Sequence, residues 1–234
     1  LVAYWDQGAV VALDPSTLRP MWMRDALLSP SRLGVPLRVA GGLVCGWDHA
    51  LTLRAWRIDD GEEAWSVPLA QLSADPDLRL GLGTGNCPVW TVCGDAVVVS
   101  TGAKSLELTA LDLQTGKRRW RRELPDQAQL AADESQQAGA IILLGYATVG
   151  ERDVQSAATR WTVSLPAEPH GLAVSDRHLA VSAGDAVLVV DRTTGQVVAK
   201  PTPGSDVRAM RLREAPDRLE VLRPGALQTY KLPP

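Results

Sequence analysis

Short apolar runs recur along the chain: Ala96-Val-Val-Val-Ser100, Ile141-Ile-Leu-Leu144, Leu179-Ala-Val-Ser182 and Val187-Leu-Val-Val190. Each has Gly, Asp, Asn or Ser close to at least one end. Runs of this length and composition predict β-strands. Because they are uninterrupted, they predict strands covered on both faces rather than strands with one wet side. Gly94-Asp95 and Gly184-Asp185 predict tight turns between such strands. No helix longer than two turns is predicted. The best candidate, residues 126–137, reads equally well as a loop between repeats.

The strands belong to an internal repeat. Leu108-Thr-Ala-Leu-Asp-Leu-Gln-Thr-Gly-Lys-Arg-Arg-Trp120 reads as a strand, a turn and the opening of a second strand. Leu53-Arg-Ala-Trp-Arg-Ile-Asp-Asp-Gly-Glu-Glu-Ala-Trp65 repeats it, with Arg57 in place of Asp112. The segment from Val10 to Trp22 keeps the alanine, the aspartate and the tryptophan but carries Leu18 where glycine is expected. The copy at Val189–Ala199 keeps Asp191 and Gly195 and has Ala199 in place of the tryptophan. A degenerate copy ends at Trp161, with a turn-like stretch at residues 150–153, and a last copy runs over Ala226–Lys231. One equivalent position then falls at Asp14, Arg57, Asp112, Asp153, Asp191 and Lys231, at spacings of 43, 55, 41, 38 and 40. The long interval holds extra residues, 74–86, expected to form a surface loop. A period near forty with short strands is the signature of a β-propeller. The expected fold is therefore all-β: a single domain over residues 1–234, with six blades of four antiparallel strands closed by strands from both termini.

Folding alone accounts for the recurrent residues. A small twisted sheet cannot bury both faces by itself, so sheets must stack. The tryptophan is expected to cover the edge of the core between sheets. The glycine is expected to supply a positive φ, and the aspartate to hold the turn through backbone amides.

The pattern Ala-x-Asp-x-x-Thr-Gly-x-x-x-Trp, carried by Ala110, Asp112, Thr115, Gly116 and Trp120, resembles the repeat of pyrroloquinoline-quinone (PQQ) type β-propellers. Ala55, Gly61 and Trp65 follow it. The resemblance implies one of several roles: quinoprotein dehydrogenase, propeller scaffold of outer-membrane barrel assembly, or sensor domain of a bacterial Ser/Thr kinase. Quinoprotein dehydrogenases are typically larger, eight-bladed rings with a calcium site and two adjacent cysteines. Here Cys45, Cys87 and Cys93 are not adjacent, and only six repeat phases are found. The resemblance therefore points to the non-enzymatic branch, with no quinone or other cofactor.

Composition narrows the partners. The 234 residues are 45% hydrophobic and 22% charged, with a formal net charge of -3, eight tryptophans and no phenylalanine. An acidic balance argues against nucleic acid as the main partner. No apolar stretch approaches the roughly 18 to 20 residues that span a bilayer, so direct membrane insertion is not expected. The start at Leu1 rather than Met reads as a processed form or an excised domain, and the compartment stays open between bacterial cytoplasm and periplasm. Three cysteines do not make a disulfide framework and are expected to be buried thiols.

The candidate chemistry is sparse. His49, His170 and His178 lack metal-ligand spacing and are expected at the surface or in loops. Arg79-Leu-Gly-Leu-Gly-Thr-Gly85 lacks the lysine of a phosphate loop, and Asn86-Cys87-Pro88 follows it. As the most unusual insertion in the repeat, it is a candidate contact surface, with Arg79, Thr84 and Asn86 as its polar residues. Lys117, Arg118, Arg119, Arg121 and Arg122 surround Trp120 and form the one strongly basic cluster. Such a cluster fits an acidic or phosphate-bearing partner, or an outer edge strand guarded by charge. A second basic group, Arg208, Arg211 and Arg213, reads likewise. The expected function is a non-catalytic protein-interaction scaffold within a larger assembly. The alternatives are a small-ligand sensor domain and a quinone-dependent oxidoreductase.

Overall fold

The structure is a computed structural model, and it describes residues 2–6, 9–25, 37–48, 50–73, 89–101, 106–124, 129–131, 139–204, 207–214 and 217–233. It forms two compact units, Leu1–Pro125 and Asp126–Pro234. The described residues of each unit form three antiparallel sheets.

In the first unit, β1 (Val2–Asp6), β2 (Ala9–Leu13) and β3 (Pro20–Asp25) form a three-stranded sheet. β4 (Arg38–Ala40), β5 (Leu43–Trp47), β6 (Thr52–Arg57) and β7 (Glu63–Pro68) form the second sheet. One helical turn, α1 (Leu69–Leu72), follows, and β8 (Val89–Cys93), β9 (Ala96–Thr101), β10 (Leu106–Asp112) and β11 (Arg118–Leu124) form the third. The second unit contains β12 (Gln129–Ala131), β13 (Ala140–Leu144), β14 (Thr148–Asp153) and β15 (Thr159–Ser164) as one sheet. Its second sheet is β16 (Pro169–Val174), β17 (His178–Ala183), β18 (Ala186–Asp191) and β19 (Val197–Ala199). Its third is β20 (Ala209–Glu214), β21 (Asp217–Arg223) and β22 (Ala226–Lys231). Every sheet is an antiparallel meander in chain order. The terminal strands lie in two separate three-stranded sheets; no sheet among the described residues combines strands from both ends.

The uninterrupted runs are the middle strands. β5, β9 and β17 are buried at every position, and β5 and β17 have a sheet of their own unit against each face. Within the first unit, Leu53, Ala55 and Trp65 pack with Val97, Val99 and Leu111 of the next sheet. Within the second, Val149 and Trp161 pack with Leu179, Val181 and Leu188.

The repeat joins neighbouring sheets by one recurring device. Before the last strand of the first five sheets the chain makes a tight turn, in which the fifth residue donates its N–H to the carbonyl of the first. These bonds are Leu18 to Asp14 (2.8 Å), Gly61 to Arg57 (2.9 Å), Gly116 to Asp112 (2.9 Å), Ala157 to Asp153 (2.8 Å) and Gly195 to Asp191 (2.8 Å). The fifth residue has positive φ each time, from 54° at Leu18 to 71° at Gly195. The aspartate's Oδ1 accepts the N–H groups two and three residues on, as at Asp112 from Gln114 (3.1 Å) and Thr115 (2.9 Å). Where Arg57 replaces the aspartate, Asp60 takes over and accepts from the Glu62 N–H at 2.8 Å.

Four residues beyond the turn, the last strand of three sheets presents its tryptophan to the next sheet. Trp22, Trp65 and Trp161 donate Nε1–H to the carbonyls of Ile58 (2.7 Å), Leu113 (2.7 Å) and Arg192 (2.8 Å). Their rings lie on Gly61, Gly116 and Gly195. A Cβ there would come within 2.6, 2.8 and 2.5 Å of the ring carbons or Cβ of those tryptophans. The glycine therefore has two causes, a positive φ and a ring with no room for a side chain.

Three expectations change. The turn of the Trp161 copy is at residues 154–156, while residues 150–153 belong to β14, since Gly150 pairs with Leu143 in the ladder. Within 126–137, residues 129–131 form β12, a short strand paired with β13 rather than helix or loop. His178 is buried rather than at the surface, because it opens β17, a strand covered on both sides. His170 is exposed.

Candidate functional site

The basic cluster runs from Lys117 onto β11, the outer strand of the third sheet. Its register is Ala110 opposite Trp120 and Leu111 opposite Arg118, so Arg119 is the extra residue of a β-bulge. The bulge turns Arg119 across the sheet. Its Nη1 and Nη2 donate to the two carboxylate oxygens of Asp95 at 2.9 and 2.8 Å, and Nη2 donates to Asp112 Oδ2 at 2.7 Å. Asp95 belongs to the tight turn between β8 and β9, so this one side chain ties that turn to the turn between β10 and β11. The Arg119 guanidinium, with the Thr115 hydroxyl, holds the Asp112 carboxyl down to about 2. Asp95 first, then Asp112, raise the guanidinium above its ordinary range. Arg121, on the opposite side of Trp120, is ion-paired with Glu107 on β10.

The five basic residues thus divide. Arg119 and Arg121 are committed to the sheet, whereas Lys117, Arg118 and Arg122 are exposed along its edge. Trp120 between them is buried. Two fixed guanidiniums behind three solvent-facing cations give a basic ridge with a rigid base. Arg79, Thr84 and Asn86 lie outside the described residues, as do His49 and Cys87. Arg208 and Arg211 are exposed, and Arg213 is paired with Glu220 at 3.3 Å. Cys45 and Cys93 are buried, and burial pushes the Cys45 thiol up to about 12, far from a reactive thiolate at neutral pH.

One polar group was not singled out from the sequence. Glu151 on β14 and Arg192, just after β18, form an ion pair of 2.8 Å with each side chain only 2% exposed. Arg160 adds a bond to Glu151 at 3.0 Å, and Arg192 Nη1 donates to the Ser175 carbonyl at 2.8 Å. Arg160 is the bulge residue of its own fourth strand. Like Arg119, it reaches its turn aspartate, Asp153, at 2.9 Å, and the Gly139 carbonyl at 2.7 Å. The repeat alignment held the signal. Glu151 stands where Ala12, Ala55 and Ala110 stand, each paired with the repeat's tryptophan.

A repeated third-strand turn, a bulged fourth strand and a tryptophan docked on the next sheet's glycine make a family pattern, and comparison with known proteins agrees. A family model described as outer membrane protein assembly factor BamB matches residues 1–201. The chain belongs to the BamB family of PQQ-type propellers. No curated protein matches it in sequence. Among solved structures, the computationally designed Ika8 protein aligns at a TM-score of 0.67 and 15% identity, covering 98% of this chain and 70% of that one. A europium-containing methanol dehydrogenase aligns at a TM-score of 0.51 and 15% identity over 83% of this chain and 47% of that one. BamB from Moraxella catarrhalis is 17% identical over 95% of this chain and 76% of that one, at a TM-score of 0.45. At these identities the first two structures speak for the fold alone. No helix among the described residues is long and apolar enough to cross a membrane.

Proposed function

We propose that this BamB-family chain is a non-catalytic protein-interaction scaffold of a larger assembly, and that the β11 ridge is one of its docking surfaces. Its six sheets serve as six propeller blades. The observation that carries the reading is the division of charge on β11. Arg119 and Arg121 are spent on Asp95, Asp112 and Glu107, so the cations left outward, Lys117, Arg118 and Arg122, stand on a fixed strand. A rigid row of cations binds an acidic protein surface with little ordering cost, and it steers association. The family description, assembly of outer membrane proteins, favours a periplasmic setting among the two compartments expected.

The test is affinity capture and cross-linking of the native full-length protein, beside a variant carrying Lys117→Glu, Arg118→Glu and Arg122→Glu. These residues are exposed, so the variant folds. A stoichiometric partner cross-linked near β11 and lost from the variant supports the reading. Equal capture by both proteins removes the ridge from it. Recovery of the protein alone, carrying a small molecule, sinks it in favour of a ligand sensor.

A further inference from the structure

Each four-stranded sheet ends on an outer strand that has one neighbour among the described residues: β6 for β7, β10 for β11, β14 for β15 and β18 for β19. Such an edge offers a row of backbone N–H and C=O groups to another strand. The four edges differ in their side chains. β7 exposes Glu63, Ser66 and Pro68. β15 exposes Thr159, Thr162 and Ser164, and its Arg160 is bonded to Glu151 and Asp153. β19 has only three residues. β11 has seven, and it exposes Arg118 and Arg122, with Lys117 just ahead of it.

The bulge at Arg119 sets the spacing of these cations. Leu111 faces Arg118, Ala110 faces Trp120, Thr109 faces Arg121 and Leu108 faces Arg122. From Arg118 to Arg122, four steps along the chain therefore cover three steps of the ladder. Three steps are about 10 Å, and an odd number of steps puts the two side chains on opposite faces of the sheet. One step further, Glu123 faces Glu107 and closes the basic run. Antiparallel pairing of two β11 strands centred on that run sets arginine against arginine, so the edge rejects a second copy of itself. The same charge attracts an acidic strand, which makes the edge selective rather than merely guarded.

We propose that the edge of β11 receives an extended acidic segment of another protein, added as a fifth strand, with two carboxylates three residues apart. One carboxylate pairs with Arg118 and the other with Arg122, and the two residues between them lie opposite Trp120 and Arg121. A segment displaced by one step toward Leu124 sets one carboxylate against Glu123 and the other against Trp120, so the charges fix the register. Arg119 is already held by Asp95 and Asp112, and Arg121 by Glu107. The edge is thus ordered before the segment arrives, which lowers the cost of pairing. The proposal rests on the scaffold reading and adds to it the partner's conformation and the spacing of its charges.

The probe is the synthetic peptide Thr-Glu-Val-Thr-Glu-Val-Thr, titrated into the full-length protein while backbone hydrogen exchange is followed. The control, Thr-Glu-Val-Thr-Val-Glu-Thr, has the same composition with its glutamates four apart. The expected result is slowed exchange over residues 118–124, with the first peptide bound roughly fivefold or more tighter than the control and more weakly at higher salt. Arg122→Glu changes an exposed position, leaves the sheet folded and weakens binding of the first peptide by roughly fivefold or more. N-methylation of the peptide at alternate amides separates strand addition from contact between charges alone. One set of amides faces β11 and the other faces away, so methylating the first set abolishes binding and methylating the second spares it. The proposal falls if the two methylated peptides bind alike, if the two spacings bind alike, if Arg122→Glu leaves affinity unchanged, or if exchange slows elsewhere or nowhere. Any of these results beside a captured partner that the triple charge reversal releases overturns the added strand and spares the scaffold reading. Failure to capture any partner bears on the scaffold reading instead.

Discussion

Replacing Glu151 by alanine and Arg192 by leucine, singly and together, tests whether the buried ion pair is a substitution of the repeat or an essential part of it. At the corresponding places in the first unit stand Ala12 with Ile58, and Ala55 with Leu113. The pair is 2% exposed on both sides. Glu151→Ala takes the carboxylate from the buried Arg192 guanidinium, which costs about 3–5 kcal/mol, whereas Arg192→Leu costs less by charge alone because Arg160 at 3.0 Å still pairs with Glu151. Arg192→Leu also leaves the Ser175 carbonyl without its 2.8 Å donor, about 1–3 kcal/mol if water does not replace it. The double variant removes both charges and restores the apolar pair of the other interfaces. Swaps of this kind range from neutral to stabilising by about 1–4 kcal/mol. Set against the lost Ser175 bond, the double variant is expected within about 2 kcal/mol of the parent. The coupling between the sites is then several kcal/mol, measurable in a double-mutant cycle from urea unfolding followed by tryptophan fluorescence. Single variants that each cost under about 1 kcal/mol would refute the buried-charge argument. A double variant as unstable as the two singles combined would refute the equivalence of the interfaces.

The tryptophan–glycine joint gives a second set of outcomes. Gly195→Ala is destabilising by more than the usual αL penalty of about 1–2 kcal/mol, because the new methyl meets Trp161 as well. Leu18→Gly and Ala157→Gly run the other way, relieving φ of 54° and 59°, and each changes stability by about +1 kcal/mol or less, since glycine also loosens the unfolded chain. Trp65→Phe keeps most of the packing but leaves the Leu113 carbonyl without its donor, costing about 1–3 kcal/mol in the same unfolding assay. Acid titration tests the turn carboxylate. Asp112 sits at about 2 when folded against an ordinary 3.8, so its contribution is complete above pH 4 and lost as pH falls through 2. The stability gap between the parent and Asp112→Asn should therefore narrow between pH 4 and pH 2, and a gap that is flat over that range would refute the assignment.

What could be read from the sequence was whatever the fold repeats. Asp112 and Gly116 announced a turn and a positive φ and do both, and the tryptophan of the neighbouring copy, Trp65, makes the announced sheet-to-sheet contact. Leu18 looked like a lost glycine, yet it keeps the same turn at a strained φ, because the bond to Asp14 and the ladder on either side outweigh a local preference. β12 was missed because an inner strand of three residues is too short for its own alternation to register. Glu151 and Arg192 were missed because each alone looks like an ordinary surface charge. Only the pairing of β14 with β15, and the approach of the next turn, puts both out of water.

The same contrast decides where partners are to be sought. Residues that follow the repeat are occupied by folding: the aspartate caps its turn, the glycine seats a ring, and the tryptophan spans to the next sheet. A residue that departs from the repeat either has a compensating departure nearby or faces solvent with none. Glu151 is compensated by Arg192, and Arg119 by Asp95. Lys117 just before β11, Arg118 and Arg122 on it, and Leu222 and Leu227 of β21 and β22 lie exposed. Exposed apolar side chains on an edge strand cost solubility and raise the risk of aggregation. The charge-reversed variant of Lys117, Arg118 and Arg122 measures directly whether exposed residues of this kind serve a partner.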